Sequence, residues 1–129
     1  MRLLPVLLAL TGLAAALPAF AKTPDEELAR ALEGRAEGAP VDCLNQRDIR
    51  SSRIIAGIGI LYETNNRTVY LNRPDSGASS LRWGQTLVTD THSSRLCSID
   101  TVKLYDTSIR MQSGFVGLGK FVPYTKPKN

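Results

Sequence analysis

The sequence predicts a small all-β domain, an antiparallel barrel or sandwich of about six strands with a short N-terminal helix. Short β-branched and aromatic runs separated by turn residues follow Val41, and these runs predict the strands. The chain of 129 residues also has two cysteines, which can staple the domain, and apolar first residues, which indicate a signal peptide. We therefore divide the chain into a signal peptide (1–21), a short helix and linker (22–40), and a disulfide-stapled β domain (41–129).

The first 21 residues follow the three-part pattern of a secretory signal peptide. Arg2 supplies positive charge, residues 3–17 are mostly apolar, and Ala-Phe-Ala at 19–21 is a small-x-small cleavage site. The apolar run is shorter than the roughly 20 residues of a membrane-spanning helix, so we expect cleavage rather than a retained transmembrane anchor. Removing 21 residues from 129 leaves 108, one domain's worth, which we expect to be periplasmic or secreted.

Cys43 and Cys97 are the only cysteines of the chain. An oxidising compartment favours a disulfide between them, and two free thiols are the alternative. In the chain-entropy model, closing a loop of this length stabilises the domain by about 4 kcal/mol.

A helix signal opens the mature chain. Residues 23–26 (Thr-Pro-Asp-Glu) combine an N-cap threonine, a proline at the first helical position and a glutamate three residues after the cap. Leu28, Ala31 and Leu32 form only a narrow apolar stripe, and glycine and proline end the segment by residue 40. We expect a short helix followed by a loose tail.

The β domain contains one well-marked hairpin. Residues 58–64 and 68–72 read as its strands, and residues 65–67 (Asn-Asn-Arg) read as its turn, because asparagine tolerates positive φ. Tyr62 and Tyr70 are expected to form a cross-strand pair on one face.

Further strands are predicted near 54–55, 86–89, 96–99 and 102–105 and in a last stretch through Val122. The segment Arg73–Ser80 reads as a turn-rich surface loop. Glycines flank Ile58 and Leu118, and these two pairs predict β-bulges or bends.

Charge differs along the mature chain. Residues 22–42 carry three basic against six acidic side chains, whereas residues 43–129 carry twelve against six. A basic β domain favours an anionic partner by raising encounter rates, although ordinary solubility predicts a similar excess.

Four basic or aromatic residues are the candidate ligand or partner surface. In one strand Arg47 and Arg53 would share a face, with Arg50 opposite. An arginine fork and an indole suit polar or anionic groups, so Arg82 and Trp83 join them. The alternative places Trp83 in the core and pairs the arginines with Asp48 or Glu63.

Four segments carry a family resemblance: 43–53 (Cys-Leu-Asn-Gln-Arg-Asp-Ile-Arg-Ser-Ser-Arg), 70–73 (Tyr-Leu-Asn-Arg), 96–100 (Leu-Cys-Ser-Ile-Asp) and 117–123 (Gly-Leu-Gly-Lys-Phe-Val-Pro). With them the chain resembles a family of small exported proteins of Gram-negative bacteria that is classed as a domain of unknown function. The resemblance implies export and a compact fold, and it brings no activity, substrate or catalytic residue. Further cysteines, which members of that family often carry near the second and fourth segments, do not occur here.

Catalytic and metal sites have little support in the sequence. His92 follows Asp90 and precedes two serines, but a hydrolase triad needs such groups to converge in space, and a polar turn has the same composition. One histidine and two oxidised cysteines cannot form a zinc site, and no loop has EF-hand spacing. We therefore predict no catalytic residue, no metal and no cofactor.

The leading functional prediction is a non-catalytic accessory or interaction module of the cell envelope. Its partner would be an anionic envelope component or another envelope protein, bound at the basic face or at an exposed strand edge. Two alternatives are a small periplasmic hydrolase with a site near Asp90 and His92, and an inhibitor that presents the loop Arg73–Ser80. Nucleic acid is not expected, because of export and the low aromatic content.

Overall fold

The computed structural model describes residues 12–16 and 22–128. The predicted signal peptide lies mostly outside these residues. Strand is the main regular structure of the described residues, which form one α-helix and ten strands in antiparallel sheets. The all-β prediction is therefore confirmed, and the expected number of strands was too low. No helix among the described residues has the length and hydropathy needed to cross a membrane.

The helix and strands follow one another along the chain as α1 (Pro24–Ala31), β1 (Ala36–Glu37), β2 (Cys43–Asn45), β3 (Ile49–Ile55), β4 (Gly59–Thr64), β5 (Val69–Asn72), β6 (Gln85–Thr89), β7 (Arg95–Cys97), β8 (Thr101–Asp106), β9 (Met111–Gly117) and β10 (Phe121–Thr125). A five-stranded sheet has the order β1-β10-β5-β4-β3, a three-stranded sheet has the order β6-β8-β9, and β2 pairs with β7 in a two-stranded ribbon.

The three sheets share one core. Their inward-facing side chains alternate with outward-facing ones along the strands, as expected when a sheet buries one face. The fully buried members include Phe121, Ile60, Val102, Leu104 and Val116. A second, smaller cluster lies on the opposite face of the five-stranded sheet, under α1. That sheet is therefore covered on both faces.

The helix begins as its sequence predicts. The Thr23 hydroxyl accepts from the Glu26 amide at 3.3 Å and the Glu26 carboxylate accepts from the Thr23 amide at 3.4 Å, which completes the capping box. Leu28 joins Leu61 and Leu71 of the sheet in one buried apolar cluster. The segment expected to be a loose tail instead supplies β1, which pairs with β10 and so ties the helix to the sheet edge.

The predicted β4–β5 hairpin is present, and Tyr62 lies opposite Tyr70. The prediction that an asparagine takes positive φ in this turn is wrong, because the turn residue with positive φ is Arg67, at 62°. Its amide donates to the Thr64 carbonyl at 3.3 Å, and the Thr64 amide donates to the Thr68 carbonyl at 3.1 Å. This three-residue turn needs its left-handed residue last, and Asn66 instead accepts from the Thr68 amide at 3.3 Å.

The glycine pairs mark bends and close approaches rather than bulges. Gly57 has φ of 71° in the β3–β4 turn, and a Cβ on Gly59 or Gly119 would strike the backbone of a neighbouring strand or loop. The irregularities of the ladders lie elsewhere, between Ile49 and Ser51 of β3 and in β9 opposite the Leu104–Tyr105 step.

Candidate functional site

Cys43 and Cys97 form the predicted disulfide. They lie directly opposite each other in the β2–β7 ribbon, with Cα atoms 4.0 Å apart. The Cys97 amide donates to the Asp100 carboxylate at 2.7 Å, which fixes the turn that leads into β8. The ribbon contributes Leu44 and Leu96 to the core, so the bridge secures one wall of the domain.

Two of the four segments that carry the family resemblance meet in the interior. The Asn72 side chain is fully buried; its amide donates to the Gly119 carbonyl at 2.7 Å and its carbonyl accepts from the Gly119 amide at 2.9 Å. These two hydrogen bonds satisfy both the buried side-chain amide of Asn72 and the backbone of Gly119. Three features of these segments therefore have structural roles: the disulfide, the paired hydrogen bonds between Asn72 and Gly119, and the contact of the Asp100 carboxylate with the Cys97 amide.

The best candidate for a binding site is a gap between two sheet edges. β3 ends the five-stranded sheet and β6 ends the three-stranded sheet. Residues Ser52–Ile54 of β3 and Gln85–Leu87 of β6 line one cavity of about 460 Å³, together with Trp83 and Gly84. We call this gap the edge cleft. Its volume lies within the range of ligand pockets.

The register of the hairpins tells which backbone groups of β3 face the edge cleft. The Thr64 amide donates toward β5, so residues 60, 62 and 64 of β4 pair with β5 and the intervening residues pair with β3. Arg53, opposite Leu61, therefore bonds to β4. By the same alternation Ser52 and Ile54 direct their N–H and C=O groups away from β4, toward the free edge.

A second cavity of about 270 Å³ adjoins the edge cleft, and Ser52 and Leu87 line both. Its other lining residues include Tyr62, Thr89 and Thr91. The Tyr62 side chain is 3% exposed, and its hydroxyl has no hydrogen-bond partner among the described residues. Burial raises the pKa of the Tyr62 hydroxyl well above its usual value, so this group remains a proton donor at any physiological pH.

The structure brings together part of the predicted surface. Arg53 and Trp83 both line the edge cleft, whereas Arg82 lines a neighbouring cavity that shares Trp83 with it. Arg47 is separate from them, because it lies in a 3-10 turn at Gln46–Asp48 and not in the strand. The shared face expected for Arg47 and Arg53 therefore does not form.

The structural alternative for these residues is wrong in both its parts. Trp83 is 85% exposed, so it does not anchor the core. Between residues 22 and 128, the ion pair within 4.0 Å joins Lys120 to Asp42, and the arginines are not paired with Asp48 or Glu63.

Asp90 and His92 lie on an exposed loop between β6 and β7. The Arg95 amide donates to the Ser93 hydroxyl at 3.1 Å, a contact that shapes the turn. In the part of the chain that the structure describes, five of the best-formed cavities are lined by residues other than Asp90 and His92. The hydrolase alternative therefore gains no geometric support. Among residues 12–16 and 22–128, no three metal-ligating side chains lie together in a cluster that could hold an ion.

The loop Arg73–Ser80 lies against β9 instead of protruding. The Asp75 amide donates to the Gly117 carbonyl at 3.0 Å, and the Gly117 amide donates to the Ser76 carbonyl at 3.1 Å. Because its backbone is engaged in this way, the loop does not present the free, extended segment that an inhibitor would offer.

The sequence does not identify four of the residues that line the edge cleft and the adjoining cavity: Ser52, Ile54, Leu87 and Tyr62. Their alternation with polar neighbours predicts strands, but only the sheet order shows that β3 and β6 are edges. No family model, curated protein or solved structure matches the chain. The resemblance to the exported family therefore stays a prediction.

Proposed function

We propose that the protein is a non-catalytic interaction module of the cell envelope that binds an extended segment of another envelope protein in the edge cleft. The observation that carries this proposal is the pair of free strand edges that line one cavity. An extended chain laid along β3 would satisfy the outward N–H and C=O groups of Ser52 and Ile54 and would lengthen the five-stranded sheet.

The side chains around the edge cleft favour a neutral or acidic segment. Among the described residues that line the edge cleft and the adjoining cavity, Arg53 is the charged one and none is a carboxylate. The exposed indole of Trp83 offers a broad apolar contact with low entropy cost. Ile54 and Leu87 supply the apolar floor, so backbone pairing gives affinity and these side chains give selectivity.

Export of the chain supports an envelope partner. The leader pattern of residues 1–21, the Cys43–Cys97 disulfide and the resemblance to an exported family all point to an oxidising compartment outside the cytoplasm. A small stapled domain whose described residues form no catalytic constellation suits binding rather than turnover, and the edge cleft supplies the binding surface.

Peptide binding should depend on the backbone amide of Ser52. We expect random heptapeptides displayed on phage to yield sequences that bind the protein, and Ser52→Pro to weaken these synthetic peptides at least tenfold. The reason is that proline removes the outward N–H while an edge strand tolerates it. Titration by fluorescence of Trp83, the one tryptophan of the chain, measures the affinity.

Ser52→Ala is the matched control, since it removes the hydroxyl and keeps the amide, and it should bind almost as tightly as the wild type. Equal affinity of the proline and alanine variants would overturn strand addition at β3. A second outcome would also overturn the proposal: no peptide is selected, and the wild-type chain forms a dimer that Ser52→Pro abolishes. This outcome would show that the β3 edge serves self-association.

Tyr62→Phe should separate the contribution of the adjoining cavity of about 270 Å³, which we call the inner cavity, from that of the edge cleft. In the free protein the change removes an unpartnered buried hydroxyl, so the free energy of unfolding should stay equal or rise by about 1 kcal/mol. Selected peptides that place an oxygen acceptor in the inner cavity should bind more weakly to this variant. A loss of stability in the urea midpoint of the free protein would show instead that the hydroxyl already has a partner.

A further inference from the structure

The two larger sheets differ in how their outer faces are covered. Helix α1 packs on the outer face of the five-stranded sheet, whereas the three-stranded sheet has no such cover among the described residues. Six large hydrophobic side chains of this second sheet and the turns around it are exposed: Trp83, Val88, Ile99, Ile109, Met111 and Phe115. Exposed apolar side chains mark an interaction surface where several of them lie close together.

Three of these side chains lie at one end of the sheet. Gln85, Asp106 and Met111 are neighbours in one row across β6, β8 and β9. Trp83 precedes that row by two residues, and Ile109 lies in the turn that joins β8 to β9. A shared cavity of about 310 Å³, lined by Trp83 and by Asp106–Ser108, confirms that the two turns are adjacent.

We call this end the apolar tip, defined by Trp83, Ile109 and Met111, which are 85%, 61% and 62% exposed. Turns carry the indole and Ile109, and the residues that line the cavity between the turns do not include Ile109 or Met111. The apolar side chains therefore extend toward solvent from the end of a rigid sheet.

Arginines flank the apolar tip. Arg82 precedes Trp83, and Arg110 follows Ile109 at a positive φ of 55°; both side chains are exposed. The nearby Asp106 carboxylate accepts from the Ser108 amide at 2.9 Å and from the Ser108 hydroxyl at 2.6 Å, so it is engaged within its own turn. These hydrogen bonds lower the pKa of the Asp106 carboxyl, which therefore stays ionised. The two arginines against this one carboxylate leave the end with a net positive charge.

We propose that the apolar tip docks the domain on an anionic phospholipid bilayer. Trp83 would lie at the level of the headgroups, Ile109 and Met111 would enter the acyl boundary, and Arg82 and Arg110 would contact lipid phosphates. Tryptophan, aliphatic side chains and arginines are the residues that occupy a membrane interface, and cationic side chains add attraction to anionic lipids. This surface is independent of strand addition at β3, although Trp83 also borders the edge cleft.

The test uses Trp83 as its own reporter, since the chain has one tryptophan. With vesicles of phosphatidylglycerol and phosphatidylcholine, we expect Trp83 emission to shift to shorter wavelength and to be quenched by brominated acyl chains. Vesicles of phosphatidylcholine alone should bind at least tenfold more weakly. Fluorescence is preferred to sedimentation, because the apolar segment 3–17 of the full chain could bind vesicles by itself.

Ile109→Asp should lower the apparent affinity of this Trp83 response about tenfold, because it places a charge in the acyl boundary and repels the anionic surface. The matched control is Ile99→Asp, which adds the same charge at a side chain 90% exposed at the opposite end of β8. It should respond nearly as the wild type does.

Equal effects of the two aspartates would overturn the assignment of the apolar tip, and so would an unquenched Trp83 on anionic vesicles. Peptides that bind wild-type protein and Ile109→Asp equally, together with Trp83 that stays unquenched on anionic vesicles, would leave the edge cleft intact and overturn the membrane proposal alone. If the selection yields no peptide that binds the protein while vesicle binding is retained, the edge-cleft proposal alone is overturned. Circular dichroism of each variant verifies that the fold is kept.

Discussion

Replacing both cysteines by alanine should lower the free energy of unfolding by about 4 kcal/mol, the largest single effect that we expect in this protein. The Cys43–Cys97 bridge closes a loop with a sequence separation of 54, and it fixes the short β2–β7 ribbon. Without it, the unfolded chain gains freedom and the ribbon, three residues per strand, has little ladder of its own. In urea the midpoint should fall by roughly 2 M.

Reduction provides the control for this change. Wild-type protein in dithiothreitol should lose about the same stability as the double alanine variant, whose midpoint should not respond to reductant. A double variant as stable as the oxidised wild type would contradict the prediction, as would two titratable thiols on folded wild-type protein.

Asn72→Ala should lower the free energy of unfolding by about 3 kcal/mol, because it leaves the Gly119 amide and carbonyl without partners in the interior. Gly119 is itself buried, so solvent does not replace the lost hydrogen bonds. The loss appears as a lower urea midpoint with an unchanged slope. Asn65→Ala, at an exposed turn position, is the matched control and should change stability by less than about 0.5 kcal/mol.

Asn72→Asp gives the same site a pH signature. A carboxylate would still accept from the Gly119 amide but would face the Gly119 carbonyl with no proton to donate. Burial raises the pKa of such a carboxyl above its unfolded value, so its protonated form, and with it the stability, is favoured at low pH and lost as the pH rises. The deficit relative to wild type should therefore shrink on acidification. A deficit that is constant with pH would show that the side chain no longer faces Gly119.

The edge cleft and the apolar tip suggest how one small domain could combine two tasks. Trp83 lies where they meet, beside the mouth of the cleft and at the end of the three-stranded sheet. A domain seated on a bilayer by its tip would hold the β3 edge close to the membrane. The Ser52→Pro and Ile109→Asp variants separate these tasks.

Parts of the candidate site could be anticipated from the sequence. The arginine fork and the indole were identified from residue type, and Arg53 and Trp83 do line one cavity. Arg47 was misplaced, because a 3-10 turn interrupts the strand in which it was expected to lie. Tyr62 was recognised as one member of a cross-strand pair, but its lack of a hydrogen-bond partner depends on every neighbour that surrounds the ring.

The sequence by itself determined the local structure: the capping box of α1, the β4–β5 hairpin and the cysteines that pair. Each depends on residues close in the chain or on the chemistry of one residue type. Only the tertiary structure decided that Trp83 faces solvent, that Arg67 takes the positive φ, that Asn72 clamps Gly119 and that β3 and β6 remain unpaired edges facing one cleft. These features depend on strand order and on contacts between distant segments, which local pattern does not encode.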